Sequence, residues 1–325
     1  MNDQPIHVPK IDIGALRGGD QAAKLEIARE IDEICRGTGF FYATNHGIDV
    51  HALVETTRML HRAVPPDEKY DLAIKAYNPK NNRSRAGFYL SIEGKKAPES
   101  FCYLNPGFDE NHPRIAANTP MHEVNVWPRA IDGVDWRAFF EDYYWQVFDL
   151  SRTLLRGFAL ALGQPESFFD IHFRREDTLS AVSLIRYPYL ENYPPLRTAE
   201  DGTVLNFGDH LDVSVLTVLF QTPVPNLQVE AAGGYRDIPT SGEDFLVNCG
   251  TYMEHLTNGL YPARRHRVVF VNKERLSLPF FVNLGHGDAP RLRGRGDVSE
   301  SASGVPYGEY LRHALGDLIA KNGQT

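Results

Sequence analysis

His210 and Asp212 lie two residues apart in the stretch Asn206-Phe207-Gly208-Asp209-His210-Leu211-Asp212-Val213-Ser214. In an extended strand, residues at this spacing share a face, so an imidazole and a carboxylate can reach one ion from one side. The β-branched and apolar run Val215–Phe220 after it predicts that the strand continues as a rigid, buried one. A second histidine, His266, opens another strand-like run through Arg267 to Asn272. Two histidines and one carboxylate on rigid strands form the facial triad of non-haem Fe(II) chemistry, which leaves positions open for substrate and O2.

A His-x-Asp pair alone is weak, because isolated pairs are common on surfaces and in satisfied cores. The residues after His266 strengthen it. In Glu274-Arg275-Leu276-Ser277, Arg275 and Ser277 share a strand face, and a guanidinium beside a hydroxyl can jointly hold a carboxylate. The plain alternative is a surface arginine next to a strand serine. His46, before Gly47, reads as structural rather than as a ligand.

The elements that must position these residues are mostly legible. Val8–Ile13 reads as an edge strand. Asp20 can cap a helix carrying Leu25, Ala28, Ile31 and Ile34, which Gly37 ends. Gly39–Ile48 reads as a strand closing in a turn, and residues 50–63 and 66–77 as helices. Arg85–Leu90 and Glu99–Leu104 are aromatic strand candidates flanking a polar loop, Gly94–Pro98. Trp136–Leu162 carries an aromatic stripe at helical spacing, which belongs to a core helix. From Thr178 the character changes. Runs 178–187, 213–221, 226–230, 245–249, 267–272 and 276–284 are short and β-rich, between Pro, Gly and Asn turns. The expected fold is mainly β with flanking helices around a double-stranded β-helix, or jelly-roll, core. A single domain, 1–325, is expected. In it a helical and mixed N-terminal region, residues 1–175, packs on a core 178–285, with a C-terminal helix and tail 305–325.

Composition narrows the function. A 325-residue chain with 42% hydrophobic and 11% aromatic residues can bury a substantial core. Its net charge of −8 and the lack of a basic stripe argue against nucleic acid as a partner. There is no membrane-spanning run and no signal-peptide core at the start, so a cytoplasmic location is expected. Three cysteines, Cys35, Cys102 and Cys249, show no metal-ligand spacing and read as reduced thiols.

Over nearly its whole length the chain resembles the isopenicillin N synthase family, in a bacterial form. The resemblance rests on Gly39-Phe-Phe-Tyr-Ala, Asn45-His-Gly, Glu99-Ser-Phe-Cys-Tyr-Leu-Asn-Pro106, Ser183-Leu-Ile-Arg-Tyr-Pro-Tyr189, Pro225-Asn-Leu-Gln-Val-Glu230, Leu278-Pro-Phe-Phe-Val-Asn-Leu284 and the terminal Asn-Gly-Gln-Thr. It implies an oxidase that converts δ-(L-α-aminoadipoyl)-L-cysteinyl-D-valine and O2 to the bicyclic isopenicillin N. It also implies Fe(II) held by His210, Asp212 and His266, with the substrate thiolate joining the metal. Ascorbate enters as a reductant, 2-oxoglutarate is not expected, and the enzyme is monomeric.

The same resemblance gives Tyr187, Ser277 and Arg275 the valine carboxylate and Arg85 the aminoadipoyl carboxylate. Tyr89, Ser183 and Thr325 become further substrate contacts, and Phe207, Val213, Leu219, Pro279 and Phe281 become apolar walls. Gln324 is implied as a ligand of the substrate-free metal, and with Thr325 it offers an alternative role as a lid. The chain departs from the family at Gly208-Asp209 and at Arg264-Arg265, beside the two histidines, and in a shortened loop near 287–303. An exchange between Asp209 and one of the two arginines would make the first two changes compensate each other. Two other readings stand beside this one: a 2-oxoglutarate-dependent oxygenase of the same fold, such as a cephalosporin ring expandase, and an inactive relative that only binds.

Overall fold

A computed structural model describes residues 5–91, 98–194, 196–294 and 305–322, with side chains through residue 316. Its elements in chain order begin with β1 (Lys10–Asp12), α1 (Gly14–Gly18), α2 (Gln21–Arg36), β2 (Phe40–Thr44), α3 (Val50–Ala63), α4 (Pro66–Asp71), β3 (Gly87–Tyr89), β4 (Glu99–Leu104), α5 (Pro113–Ala116) and α6 (Trp136–Ala161). The chain continues through β5 (Ala181–Tyr187), β6 (Arg197–Thr198), β7 (Val204–His210), β8 (Leu216–Gln221), β9 (Leu227–Ala231), β10 (Gly234–Asp237), β11 (Phe245–Cys249), α7 (Thr251–Leu256), β12 (His266–Val269), β13 (Arg275–Val282) and α8 (Tyr307–Asn322).

Local chemistry sets many of the boundaries. The side chains of Asp20, Asp49 and Asp135 accept backbone N–H groups at the starts of α2, α3 and α6. Gly37 closes α2 as expected. The helix expected over 66–77 stops at Asp71, because Ala73 bridges to Phe88 and the Ile74 N–H bonds the Phe88 carbonyl. Sheet pairing therefore takes over from the helix. The strand expected through 272 ends at Val269.

Among the described residues the strands form two sheets. One has the order β1-β2-β11-β8-β13-β5-β4-β3 and the other β10-β9-β12-β7-β6. The larger sheet is covered twice. On one side α2 and α6 pack against it, and Phe41, Val247, Phe280 and Leu278 join Ile31, Tyr144 and Phe158 in the main apolar cluster. On the other side Phe40, Leu219, Leu246 and Tyr187 meet Leu227, Val229 and Val268 of the smaller sheet. Two sheets closed over a shared interior give the jelly-roll core expected from the sequence.

One expectation is corrected. His210 and Asp212 do not lie on one strand that runs on to Phe220. β7 ends at His210 in the smaller sheet, residues 211–215 cross between sheets, and β8 begins at Leu216 in the larger one. The crossing is held by α7: the Thr251 N–H donates to the Asp212 carbonyl at 2.8 Å and the Gly250 N–H to the Val215 carbonyl at 3.0 Å. Gly250 is required there, since a Cβ would sit 2.0 Å from the Ser214 carbonyl oxygen.

Cys35 and Cys249 are buried free thiols with sulfurs 3.8 Å apart, and Cys102 is a half-buried free thiol. No helix among the described residues is long and apolar enough to cross a membrane. Most of the polar loop at 94–98, most of the shortened loop at 287–303, and Gln324 and Thr325 lie outside the described residues.

Candidate metal centre

His210 and His266 face each other as cross-strand partners of β7 and β12, with ring centroids 4.3 Å apart. The register slips beside them, so β7 carries an extra residue between His210 and Phe207 opposite His266 and Val268. Such a bulge bends the strand and re-aims its side chains. Asp212 enters from the crossing segment. Its Oδ1 lies 3.9 Å from His210 Nε2 and 3.7 Å from His266 Nε2. Among the described residues these three form the one group able to offer three ligand atoms to a metal, all within 4.8 Å of one another.

The surroundings fix which atoms face the gap. His210 Nδ1 lies 3.0 Å from the Gly208 carbonyl, and His266 Nδ1 lies 2.9 Å from the Arg264 carbonyl. A carbonyl only accepts, so each Nδ1 carries the proton and each Nε2 presents a lone pair. Asp212 Oδ2 accepts from Thr217 Oγ1 at 2.7 Å and Asn248 Nδ2 at 2.9 Å. Burial and the neighbouring His266 push the His210 pKa down to about 4, so the imidazole is neutral at ordinary pH. Burial raises the Asp212 carboxyl, but His266, His210 and its two hydrogen bonds outweigh this and leave it lowered, so it is ionised. Two imidazoles that turn Nε2 toward the gap and one carboxylate suit a divalent first-row metal with open positions.

These donors open into a cavity of about 240 Å³. Of the residues expected at the site, Arg85, Tyr187, Phe207, His210, Asp212, Val213, Leu219, His266, Arg275, Ser277, Pro279 and Phe281 all line it. Arg275 and Tyr187 are cross-strand partners, and the guanidinium lies over the ring at 5.1 Å. Arg275 is 1% exposed, and its Nη2 donates to Gln221 Oε1 at 2.7 Å. Its Nε and Nη1 have no hydrogen-bond partner among the described residues. Burying a guanidinium with free donors is costly unless an anion meets it.

Tyr89 and Ser183 do not belong to the cavity wall. The Tyr89 hydroxyl instead donates to the Arg85 carbonyl at 3.3 Å. His46 is structural, as expected: Nε2 meets the Glu243 carbonyl at 2.9 Å, and Nδ1 accepts the Ile48 N–H at 3.0 Å. Sequence reasoning missed Asn248, Thr217, Phe40, Leu311 and Leu315, which also line the cavity. The last two sit four apart on α8, and that helical spacing was the available signal. Beside the histidines, Arg265 Nη1 meets Asp209 Oδ2 at 3.0 Å, while Arg264 turns to the Gly37 carbonyl.

Residues 180–284 match the 2OG-Fe(II) oxygenase superfamily, and residues 8–130 match the non-haem dioxygenase in morphine synthesis N-terminal family. The chain is 58% identical to the isopenicillin N synthase of Streptomyces clavuligerus and 57% identical to that of Lysobacter lactamgenus. It is 55% identical to the one of Penicillium rubens, and each match spans 98% of both chains. The chain belongs to the isopenicillin N synthase family. Solved structures extend the likeness of fold alone. Neurospora crassa T7H in complex with alpha-KG superposes with a TM-score of 0.77 at 21% identity, over 98% of both chains. The rice dioxygenase for auxin oxidation gives 0.70 at 21% identity, over 96% of both. Membership in the isopenicillin N synthase family makes the protein an oxidoreductase enzyme.

Proposed function

We propose that this protein is a non-haem Fe(II) oxidase that converts δ-(L-α-aminoadipoyl)-L-cysteinyl-D-valine and O2 to isopenicillin N, a step of penicillin biosynthesis. The peptide loses four hydrogens as two rings close, and O2 becomes two waters, so no further reductant is consumed. The carrying observation is one cavity that combines three metal donors with a buried arginine holding two free donors.

His210 Nε2, His266 Nε2 and Asp212 Oδ1 hold the metal. Fe(II), when bound, supplies the capacity to take up O2 and pass it electrons from the peptide. Arg275, with Ser277 and Tyr187, receives the valine carboxylate, and Arg85 receives the aminoadipoyl carboxylate. Anchoring both ends turns the approach of the cysteine thiol into an intramolecular event. Phe207, Val213, Leu219, Pro279 and Phe281 keep water from the reacting centre. Tyr89, whose hydroxyl bonds the Arg85 carbonyl, and Ser183 were expected as further substrate contacts, but neither lines the cavity. The family resemblance would make Gln324 a ligand of the substrate-free metal or, alternatively, Gln324 and Thr325 a lid over the peptide, and truncation of residues 322–325 separates the two. The protein works in the cytoplasm as a monomeric, single-domain enzyme without a nucleic-acid partner, and its net charge of −8 supports the last point.

The test is turnover. Anaerobic protein loaded with Fe(II) receives the tripeptide and then air, with and without 2-oxoglutarate, and the product is identified by mass. Isopenicillin N formed equally in both arms is expected. Product formed only with 2-oxoglutarate would transfer the chain to the oxygenases of the same fold. Absence of product in both arms would leave a binding relative.

A further inference from the structure

Asp212 has two carboxylate oxygens, and its neighbours treat them differently. Oδ2 accepts from Thr217 Oγ1 and Asn248 Nδ2. No hydrogen bond to Oδ1 occurs among the described residues, and it lies within 4 Å of both Nε2 atoms. The two donors to Oδ2 are Cα partners on neighbouring strands, Thr217 on β8 and Asn248 on β11. Antiparallel pairing at this register brings both side chains to one face beneath the sheet crossing. Thr217 is further constrained. Its hydroxyl proton goes to the carboxylate, so Ser214 Oγ, 3.1 Å away, must donate to Thr217 Oγ1. Thr217, Asn248 and Ser214 are at most 4% exposed, so water does not compete for these bonds.

We propose that Thr217 and Asn248 are positioning residues that hold Asp212 Oδ2 and so aim Oδ1 at the metal. This rests on the reading of His210, Asp212 and His266 as metal ligands. A carboxylate on a strand-crossing segment has rotational freedom about its side-chain torsions. Two donors fixed to adjacent strands of the buried sheet remove that freedom before any ion arrives. The register of β8 against β11 thereby sets the direction of a ligand carried by neither strand.

The test is the affinity of the metal-free full-length protein for Co(II), measured by titration, with the Co(II) absorption spectrum as a second readout. Thr217→Val keeps the shape and removes the hydroxyl. It should weaken Co(II) binding by about 10–100-fold, the usual effect of losing a partner of a metal ligand. Asn248→Ala should weaken it as well, and it carries the comparison should Thr217→Val fail to fold. Thr217→Ser should restore both affinity and spectrum, which a role confined to core packing would not do. Unchanged Co(II) affinity in folded Thr217→Val and Asn248→Ala, with binding lost in Asp212→Ala, would overturn the positioning role alone. Unchanged affinity in Asp212→Ala would overturn the ligand assignment beneath it.

Discussion

Strands β8, β11 and β13 of the larger sheet are buried at almost every position, whereas β7 and β10 of the smaller sheet are largely half-exposed or exposed. The larger sheet has helices on one face and the smaller sheet on the other, so both of its faces must be apolar. It supplies the fixed parts of the site: Arg275, Ser277, Tyr187 and the donors that hold Asp212. The smaller sheet has solvent behind it and supplies the two histidines at the bulge between β7 and β12. The metal centre therefore sits on a seam. The proposed substrate anchors are built into a rigid wall, while the candidate imidazole ligands are built into a thinner, bulged one.

The sharpest contrast between the two sheets is in stability. Phe280 of β13 is fully buried against Tyr144, and Phe207 of β7 is 38% exposed with its ring edge against His210. Phe280→Ala should cost about 3–5 kcal/mol in denaturant unfolding. Phe207→Ala should cost about 1 kcal/mol or less. Similar losses for the two would dissolve the distinction between the sheets.

Protonation should weaken the histidine side first. His210 is held neutral by burial, with its pKa at about 4 against an ordinary 6.5. Between those values the unfolded chain binds a proton that the native chain refuses, so stability rises with pH across this window and is lost on acidification. At about 1.4 kcal/mol per pH unit the window is worth about 3 kcal/mol in the metal-free protein. From pH 7 to pH 4 the unfolding midpoint of the wild type should fall relative to that of His210→Gln, which lacks the titrating group. Parallel curves would mean His210 titrates normally.

These differences explain what the sequence disclosed. The twice-covered strands read as apolar runs, and 245–249 and 276–284 were legible almost to the residue. The long aromatic helix and the Asp20 cap were legible for the same local reasons. β6 and β10 were not: they are short, exposed and polar, with little burial to pattern them. The candidate ligand types were visible in His210, Asp212 and His266, but the assumed geometry was not the real one. A His-x-Asp pair looks like one strand face, whereas here the histidines pair across strands and the aspartate arrives from a sheet crossing. That crossing depends on Gly250 and α7, residues distant in sequence that no local pattern links to Asp212.

Two smaller effects refine the contrast. Arg85→Ala should weaken tripeptide binding by about 1.5–3 kcal/mol, the worth of a charge-assisted contact, while leaving metal affinity unchanged. Calorimetry on the metal-loaded protein measures both, and equal tripeptide affinity would make Arg85 a bystander. On the solvent side of the smaller sheet, Asp209 and Arg265 are each about two-fifths exposed and 3.0 Å apart. Their ion pair joins two of the departures from the family, and solvent screens it. A double-mutant cycle should give a coupling of about 0–1 kcal/mol. A larger value would make this pair a structural brace of the bulge.

The seam itself is tested most directly by anaerobic titration of the metal-free protein with Fe(II), comparing wild type with His210→Ala, His266→Ala and Asp212→Ala. One ion should bind per wild-type chain. Each variant should lose tight binding and all turnover of the tripeptide, while His46→Ala retains the iron. A fully active, iron-loaded Asp212→Ala protein would contradict the assignment of the metal to the junction of the two sheets.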